Sequence, residues 1–271
     1  MAEKCFYDIS NVKTQDSVEY PVTFAKFYDV IYDKLRTSVD FNYYLNKILE
    51  CKGPVLEVGV GTGRIFKEAL KKGADIYGID VSRSMIDVLR SNLPEESHNR
   101  VFVKDARDFN LGVKFDLIVM PFRTFSHFTD TDDQLKVLNN IHHHLNPDGR
   151  LIFDVFNPDF NMLKEGLDNF TDFEGEYEKG RTVKRIVSMQ TDFAQQVINT
   201  KFIFEWNDGV KVERSEWDSV LRYFFRYELE NLIRLSRLRL IDIYGDFEEG
   251  RITDNSGDFL IICKNDILKK S

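Results

Sequence analysis

A doubly wound α/β sheet carrying a small antiparallel β insertion is the fold this sequence predicts. Three observations carry the prediction. Short apolar runs and amphipathic segments alternate from residue 55 to residue 156, which implies parallel strands joined by right-handed crossovers. The first apolar run ends in glycines on alternate positions and passes at once into a helical pattern, the outline of strand, tight turn and helix. After residue 156 the alternation stops, and β-rich runs flank the hairpin turn Asn207-Asp208-Gly209.

Taken in order, residues 1–20 are polar and irregular. Phe24 to Leu49 has helical spacing, with Phe24, Phe27, Ile31 and Leu35 followed by Tyr44, Leu45, Ile48 and Leu49. Val55–Val58 reads as a strand, Arg64–Lys71 as a helix and Asp75–Asp80 as a second strand. Ser82 can cap a helix from Arg83 to Asn92, which stops before Pro94. Val101–Lys104 and Phe115–Met120 are the third and fourth strands. A helix from Asp132 to Leu145, the turn Asn146-Pro147-Asp148-Gly149 and a fifth strand Leu151–Phe156 follow. These strands are almost continuously apolar, as strands covered on both faces must be. Residues 157–181 are polar and read as a loop or short helix. Val183–Thr191, Val197–Trp206 and Val210–Arg214 then form an antiparallel unit of about three strands. A helix at Tyr227–Arg237 and strands at Arg239–Tyr244 and Phe259–Lys264 close the pattern.

Composition narrows the function. The chain has 271 residues, 42% of them hydrophobic, enough for a sizeable core. Its net charge of −8 disfavours nonspecific binding to nucleic acid, which needs phosphate-neutralising lysine and arginine. Cys5, Cys51 and Cys263 are far apart and odd in number, which suits a reducing cytoplasm better than a disulfide framework. No apolar run is long enough to span a membrane. His142, His143 and His144 are consecutive on a helix, point in different directions and cannot share a metal, so no metal site is expected.

The most specific stretch is Val55-Leu56-Glu57-Val58-Gly59-Val60-Gly61-Thr62-Gly63. Glycines in this register let a nucleotide-type ligand lie against bare backbone at a helix N-terminus. A dinucleotide loop would place a further Gly or Ala where Arg64 stands, so the pyrophosphate version fits poorly. The run instead resembles motif I of the class I S-adenosylmethionine-dependent methyltransferases. Asp80 ends the second strand, where a carboxylate can accept from both ribose hydroxyls. Asp105 and Ala106 match the family position that meets the adenine. Met85 matches one that packs on it, although a helical Met is as readily core. The helix-strand-antiparallel strand ending from 227 to 264 also resembles that family.

The resemblance implies a seven-stranded Rossmann-like sheet with its last strand antiparallel. The methyltransferase domain would occupy 24–156 and 227–271, after an N-terminal arm at 1–23. The β insertion at 157–226 would lie on the substrate side and could mediate a homodimer. The implied cofactor is S-adenosylmethionine, with S-adenosylhomocysteine as product, held by Tyr28, Glu57, Gly59, Gly61, Asp80, Val81, Met85, Asp105, Ala106 and Met120. Phe27-Tyr28-Asp29-Val30-Ile31-Tyr32 resembles the Y-D-x-x-Y lid of small-molecule methyltransferases such as the aminosugar N,N-dimethyltransferases. Methyl transfer needs a positioned nucleophile, and an amine must first lose a proton. His127, matching a family histidine thought to act as base, is the candidate proton acceptor, with Tyr32 and Arg123 beside it on the reactive side. No Asn-Pro-Pro-Tyr or Asp-Pro-Pro-Tyr follows the fourth strand, where Met120-Pro121-Phe122-Arg123 stands, so a DNA-amine or glutamine methylase is disfavoured. The expected acceptor is a small molecule methylated at N or O. RNA or protein methylation, a non-enzymatic S-adenosylmethionine-binding module and an NAD-dependent oxidoreductase are the alternatives.

Overall fold

The computed structural model describes residues 19–35 and 38–266. Residues 1–18 of the expected arm, Cys5 among them, lie outside these. The strands and helices of the cofactor half follow the sequence closely. They are β1 (Val55–Val58), α3 (Arg64–Lys71), β2 (Ile76–Asp80), α4 (Arg83–Ser91), β3 (Val101–Val103), β4 (Phe115–Met120), α5 (Thr131–His144) and β5 (Leu145–Phe156). With β10 (Leu238–Tyr244) and β11 (Asp258–Asn265) they make a seven-stranded sheet of order β10-β11-β5-β4-β1-β2-β3. β11 runs antiparallel to both of its neighbours, and the other ladders of β1 to β5 are parallel.

Helices cover both faces, which explains the unbroken apolar strands. On one face α3, α4 and α2 (Val39–Glu50) bury Phe66, Leu89 and Tyr44 against Val55, Val119 and Ile262. On the other, α5 and α7 (Arg226–Leu235) bury Leu138 and Leu232 against Ile118 and Phe153. The expected turn at Asn146–Gly149 is looped out of β5. Phe115 pairs with Leu145 and Leu117 with Arg150, so the turn residues form a wide bulge without ending the strand.

Two expectations changed. Phe24 to Leu49 is two helices, α1 (Val22–Leu35) and α2, because its two halves bury in different places. α1 puts Phe24, Phe27 and Ile31 against Met85 of α4 and against a second sheet. That sheet has four strands where three were expected: β6 (Leu167–Glu178), β7 (Arg181–Asp192), β8 (Val197–Asn207) and β9 (Val212–Arg222). β6 was hidden by its composition. It is an edge strand, mostly exposed and acidic, and lacks an apolar alternation to read. The short helix read within 157–181 is α6 (Phe160–Glu165).

Gly63 is where the first turn meets the core. Its φ is +83°, and a methyl group there would collide with Leu89 of α4. Gly63→Ala is therefore expected to lose about 3 kcal/mol from strain and overpacking. That should lower the melting temperature by roughly 5–10 °C in scanning calorimetry. An unchanged melting temperature would mean that the turn relaxes freely.

Candidate active site

The parallel strands β1, β2 and β3 end on one surface, where a cavity opens. Val58, Gly59 and Gly61 form one wall, Asp80, Val81 and Met85 the next, and Asp105 and Ala106 a third. Tyr28 and Tyr20 close it from the N-terminal side, and His127 and Phe128 from the segment after β4.

Asp80 is the organising group. Its Oδ2 accepts from the Gly61 N–H at 2.9 Å and its Oδ1 from the Ser82 N–H at 2.8 Å. The carboxylate thus fixes the glycine turn and the start of α4 together, and its remaining lone pairs face the cavity. Gly61 has φ +55°, and a Cβ built on it meets only open space. The bare backbone there is a cradle that any side chain would fill. Both observations fit a nucleoside-type ligand carrying a diol, so the residues present suit the adenosine part of S-adenosylmethionine. In contrast to Gly63→Ala, Gly61→Ala is expected to act mainly on binding.

Burial raises the Asp80 carboxyl to about 6, against the lowering influence of the Ser82 and Gly61 N–H groups. The ionised form has acceptor capacity on both oxygens beyond the two N–H groups they hold, and protonation turns one of them into a donor. Affinity for S-adenosylhomocysteine should therefore be full above pH 7 and fall as pH drops through about 6. At pH 5 it is expected to be about tenfold weaker. Calorimetric titrations across this range check it, and a flat profile would contradict it.

Asp105 is held by Arg107. The guanidinium donates Nη2–H to Oδ2 at 2.6 Å, and the Arg107 N–H meets Oδ1 at 2.8 Å. Arg107 Nη1 also donates to Asp133 at the start of α5, at 2.7 Å, so three charges close this end of the cavity.

At the opposite end, Tyr20 Oη and His127 Nε2 lie 2.9 Å apart. Tyr20 packs on Trp217 of β9, with ring centroids 4.8 Å apart, which joins the second sheet to the cavity wall. Glu19, one residue earlier, accepts from Ser82 Oγ and from the Arg83 and Ser84 N–H groups at the start of α4. His127 Nδ1 is buried and has no hydrogen-bond partner among the described residues. Burial lowers the His127 imidazolium to about 4, so the ring is neutral at pH 7.

Four expected site residues are placed elsewhere. Glu57 is buried under the turn, and burial and the nearby Asp80 push its carboxyl well above the usual range. Met120 is fully buried in the core. Tyr32 packs on Tyr28, ring centroids 4.5 Å apart, and under the guanidinium of Arg185 on β7 at 4.9 Å. Arg123 turns away and donates to Asp258 at 2.9 Å. Its direction follows from the backbone. Phe122 and Arg123 both have left-handed φ, +59° and +61°, and Asp154 at the end of β5 accepts both of their N–H groups at 3.0 Å. The triple histidine is also structural in part, since His144 is buried with its ring centroid 4.3 Å from that of Phe109.

Tyr20, Arg107 and Asp133 were not foreseen. Tyr20 stands in a segment with no periodicity, and its place depends on contacts with distant residues. Asp133 had a readable signal, because Asp130 is an N-cap that puts the next turn of helix beside the strand ends.

No helix among the described residues is long and apolar enough to cross a membrane. Residues 55–149 match the family described as "Methyltransferase domain". The cypemycin N-terminal methyltransferase of a Streptomyces species is 23% identical over 92% of this chain and 98% of its own length. With an uncharacterized methyltransferase of Bacillus cereus the identity is 29%, over 51% of this chain and 57% of the relative, so the chain spans little more than half of that protein. Among solved structures, an S-adenosylmethionine-dependent methyltransferase from Clostridium acetobutylicum superposes with a TM-score of 0.73 at 19% identity, covering 90% of this chain and 98% of that one. The sugar N-methyltransferase KedS8 from Streptoalloteichus gives 0.70 at 19% identity, with 88% and 93% covered. Residues 55–149 thus match a methyltransferase domain, and the chain as a whole has the fold seen in these S-adenosylmethionine-dependent methyltransferase structures.

Proposed function

We propose that this chain transfers a methyl group from S-adenosylmethionine to a nitrogen of a small-molecule acceptor. The observation that carries the reading is one cavity with Asp80 and the bare Gly61 backbone on one side and the Tyr20–His127 pair on another. Asp80 would hold the ribose, Met85 and Ala106 the purine, and Tyr28 would cover the cofactor. The names of two relatives, an N-terminal and a sugar N-methyltransferase, support nitrogen over oxygen.

When bound, S-adenosylmethionine supplies a methyl group on a positively charged sulfur. The side chains then have three tasks: to hold the nitrogen in line, to exclude water and to take up one proton. The Tyr20 hydroxyl stands at the cavity wall and is fixed by His127. A neutral imidazole can receive a proton through that hydroxyl, and its low basicity limits its share to the lower part of the usual range, about 100-fold. Glu57 and Met120 support the turn and strand end from beneath, and Tyr32 supports Tyr28. Arg123 serves the neighbouring surface.

The same reading divides the chain into a cofactor-binding body at 24–156 and 227–271 and a substrate-side layer at 157–226. It places the protein in the cytoplasm, where Cys51 and Cys263, in no disulfide among the described residues, stay reduced. The open edges β6 and β9 are where a second copy would pair into a homodimer.

Calorimetry with S-adenosylmethionine and S-adenosylhomocysteine tests the cofactor half. No heat with either, from folded protein, would end the proposal. Transfer of labelled methyl to a panel of primary and secondary amines tests the other half. Labelling of RNA or protein alone would move the acceptor to those classes. Tight cofactor binding with no transfer to any of them would favour a binding module.

A further inference from the structure

The turn Thr124–His127 after β4 carries two buried polar atoms that no described residue meets with a hydrogen bond. One is His127 Nδ1, the ring nitrogen that Tyr20 does not engage. The other is Ser126 Oγ, on a residue that is fully buried and does not line the cavity. The Ser126 backbone N–H is matched, since it donates to the Arg123 carbonyl at 2.9 Å. Buried polar atoms nearly always find a partner, and when the protein supplies none the partner is ordinarily an ordered water.

The Tyr20–His127 contact makes one of these atoms decisive. A neutral imidazole has one N–H and one bare nitrogen. For His127 to take a proton from the Tyr20 hydroxyl, Nε2 must be the bare nitrogen, and the N–H then sits on Nδ1. An unmatched buried N–H there bears the full cost of its lost hydration. The ring would escape that cost by carrying its proton on Nε2 and donating to Tyr20, the direction in which it accepts nothing. The active tautomer therefore requires an acceptor at Nδ1. The requirement grows once a proton has arrived, because the imidazolium carries N–H on both nitrogens and burial disfavours its charge.

We propose that His127 Nδ1 and Ser126 Oγ hold one water molecule between them, and that Ser126 is thereby a positioning residue for proton transfer. The water accepts from Nδ1–H and donates to Ser126 Oγ. Its two hydrogen bonds, about 2.8 Å each, span roughly 5 Å, so adjacent residues of one turn can share a water where they could not share a metal. In the transfer the amine proton passes to Tyr20 Oη as the Tyr20 O–H proton passes to His127 Nε2. Tyr20 ends neutral and His127 ends as imidazolium, its Nδ1–H still received by the water. This rests on the methyl-transfer reading with His127 as proton acceptor, and adds to it a residue that lies behind the ring.

Nitrogen NMR of histidine-labelled protein, saturated with S-adenosylhomocysteine at neutral pH, reads the tautomer directly, because a protonated and a bare ring nitrogen differ strongly in chemical shift. The His127 proton is expected on Nδ1. In Ser126→Ala the ratio of tautomers should move about tenfold toward Nε2, the equivalent of one hydrogen bond. S-adenosylhomocysteine affinity should be unchanged in the variant, which also verifies its folding. A high-resolution crystal structure of the wild type should show one ordered water within hydrogen-bond reach of both atoms. These two wild-type measurements decide the matter even where Ser126→Ala does not fold. A proton on Nε2 in the wild type, an Nδ1 with no water shared with Ser126, or an unmoved ratio in the variant would each overturn the proposal. Failure of S-adenosylhomocysteine to bind would instead remove the methyl-transfer reading beneath it.

Discussion

Asp80→Ala is expected to weaken S-adenosylhomocysteine binding about 100-fold, the loss of two charge-assisted hydrogen bonds of roughly 1.5 kcal/mol each. The side chain has two jobs that fail together. It accepts from the Gly61 and Ser82 N–H groups, and its outward lone pairs are the receptor for a diol. Removing it frees the turn and deletes the receptor. Stability should change less than binding, because a buried carboxyl that is raised to about 6 is itself costly to keep ionised at neutral pH. Asp80→Asn separates the two jobs. The amide retains one acceptor oxygen and should recover part of the affinity, and the step near pH 6 should vanish. Calorimetry at pH 5 and 8 on all three proteins measures both effects. Undiminished affinity in the alanine variant would show that the ribose lies elsewhere.

His127→Ala is expected to lower kcat about 100-fold and leave cofactor affinity nearly unchanged. The ring lines the cavity beside Tyr20, and its Nδ1 edge is buried in the turn after β4. Tyr20→Phe keeps the ring packed on Trp217 and Phe24 and removes only the hydroxyl. It should reproduce much of the loss, because the two groups act in series. The pH profile distinguishes the groups further. His127 is lowered to about 4, so it contributes no inflection above pH 5, whereas Asp80 and Asp154, both raised to about 6, titrate above it. An unchanged kcat in His127→Ala would remove the histidine from proton transfer.

What was legible in the sequence was what is local. Gly59, Gly61 and Gly63 declare a turn whose backbone must be left-handed, and all three are. Ser82 declares a helix start and caps one through its hydroxyl. The apolar strands declare burial on both faces. What was not legible depends on partners far away in the chain. Tyr20 meets His127 and Trp217 through folding that a polar segment cannot announce. Arg123 was expected on the reactive side, after the fourth strand. Its direction is set by Asp154, which holds two successive left-handed residues and so aims the side chain at Asp258. Edge strand β6 was silent because half of its hydrogen bonds face solvent and its exposed residues carry no pattern.

The route of the chain through the second sheet has a consequence for how such a protein can change. Phe156, where the chain leaves β5, and Tyr223, where it returns toward α7, lie in one apolar cluster with Leu163 and Ile198. The excursion β6 to β9 therefore begins and ends at one place, in the manner of a graft with joined ends. Lengthening such an excursion costs little chain entropy, about 0.6 kcal/mol for each doubling. The layer can thus be exchanged, extended or reshaped while the order of the seven strands that hold the cofactor stays as it is.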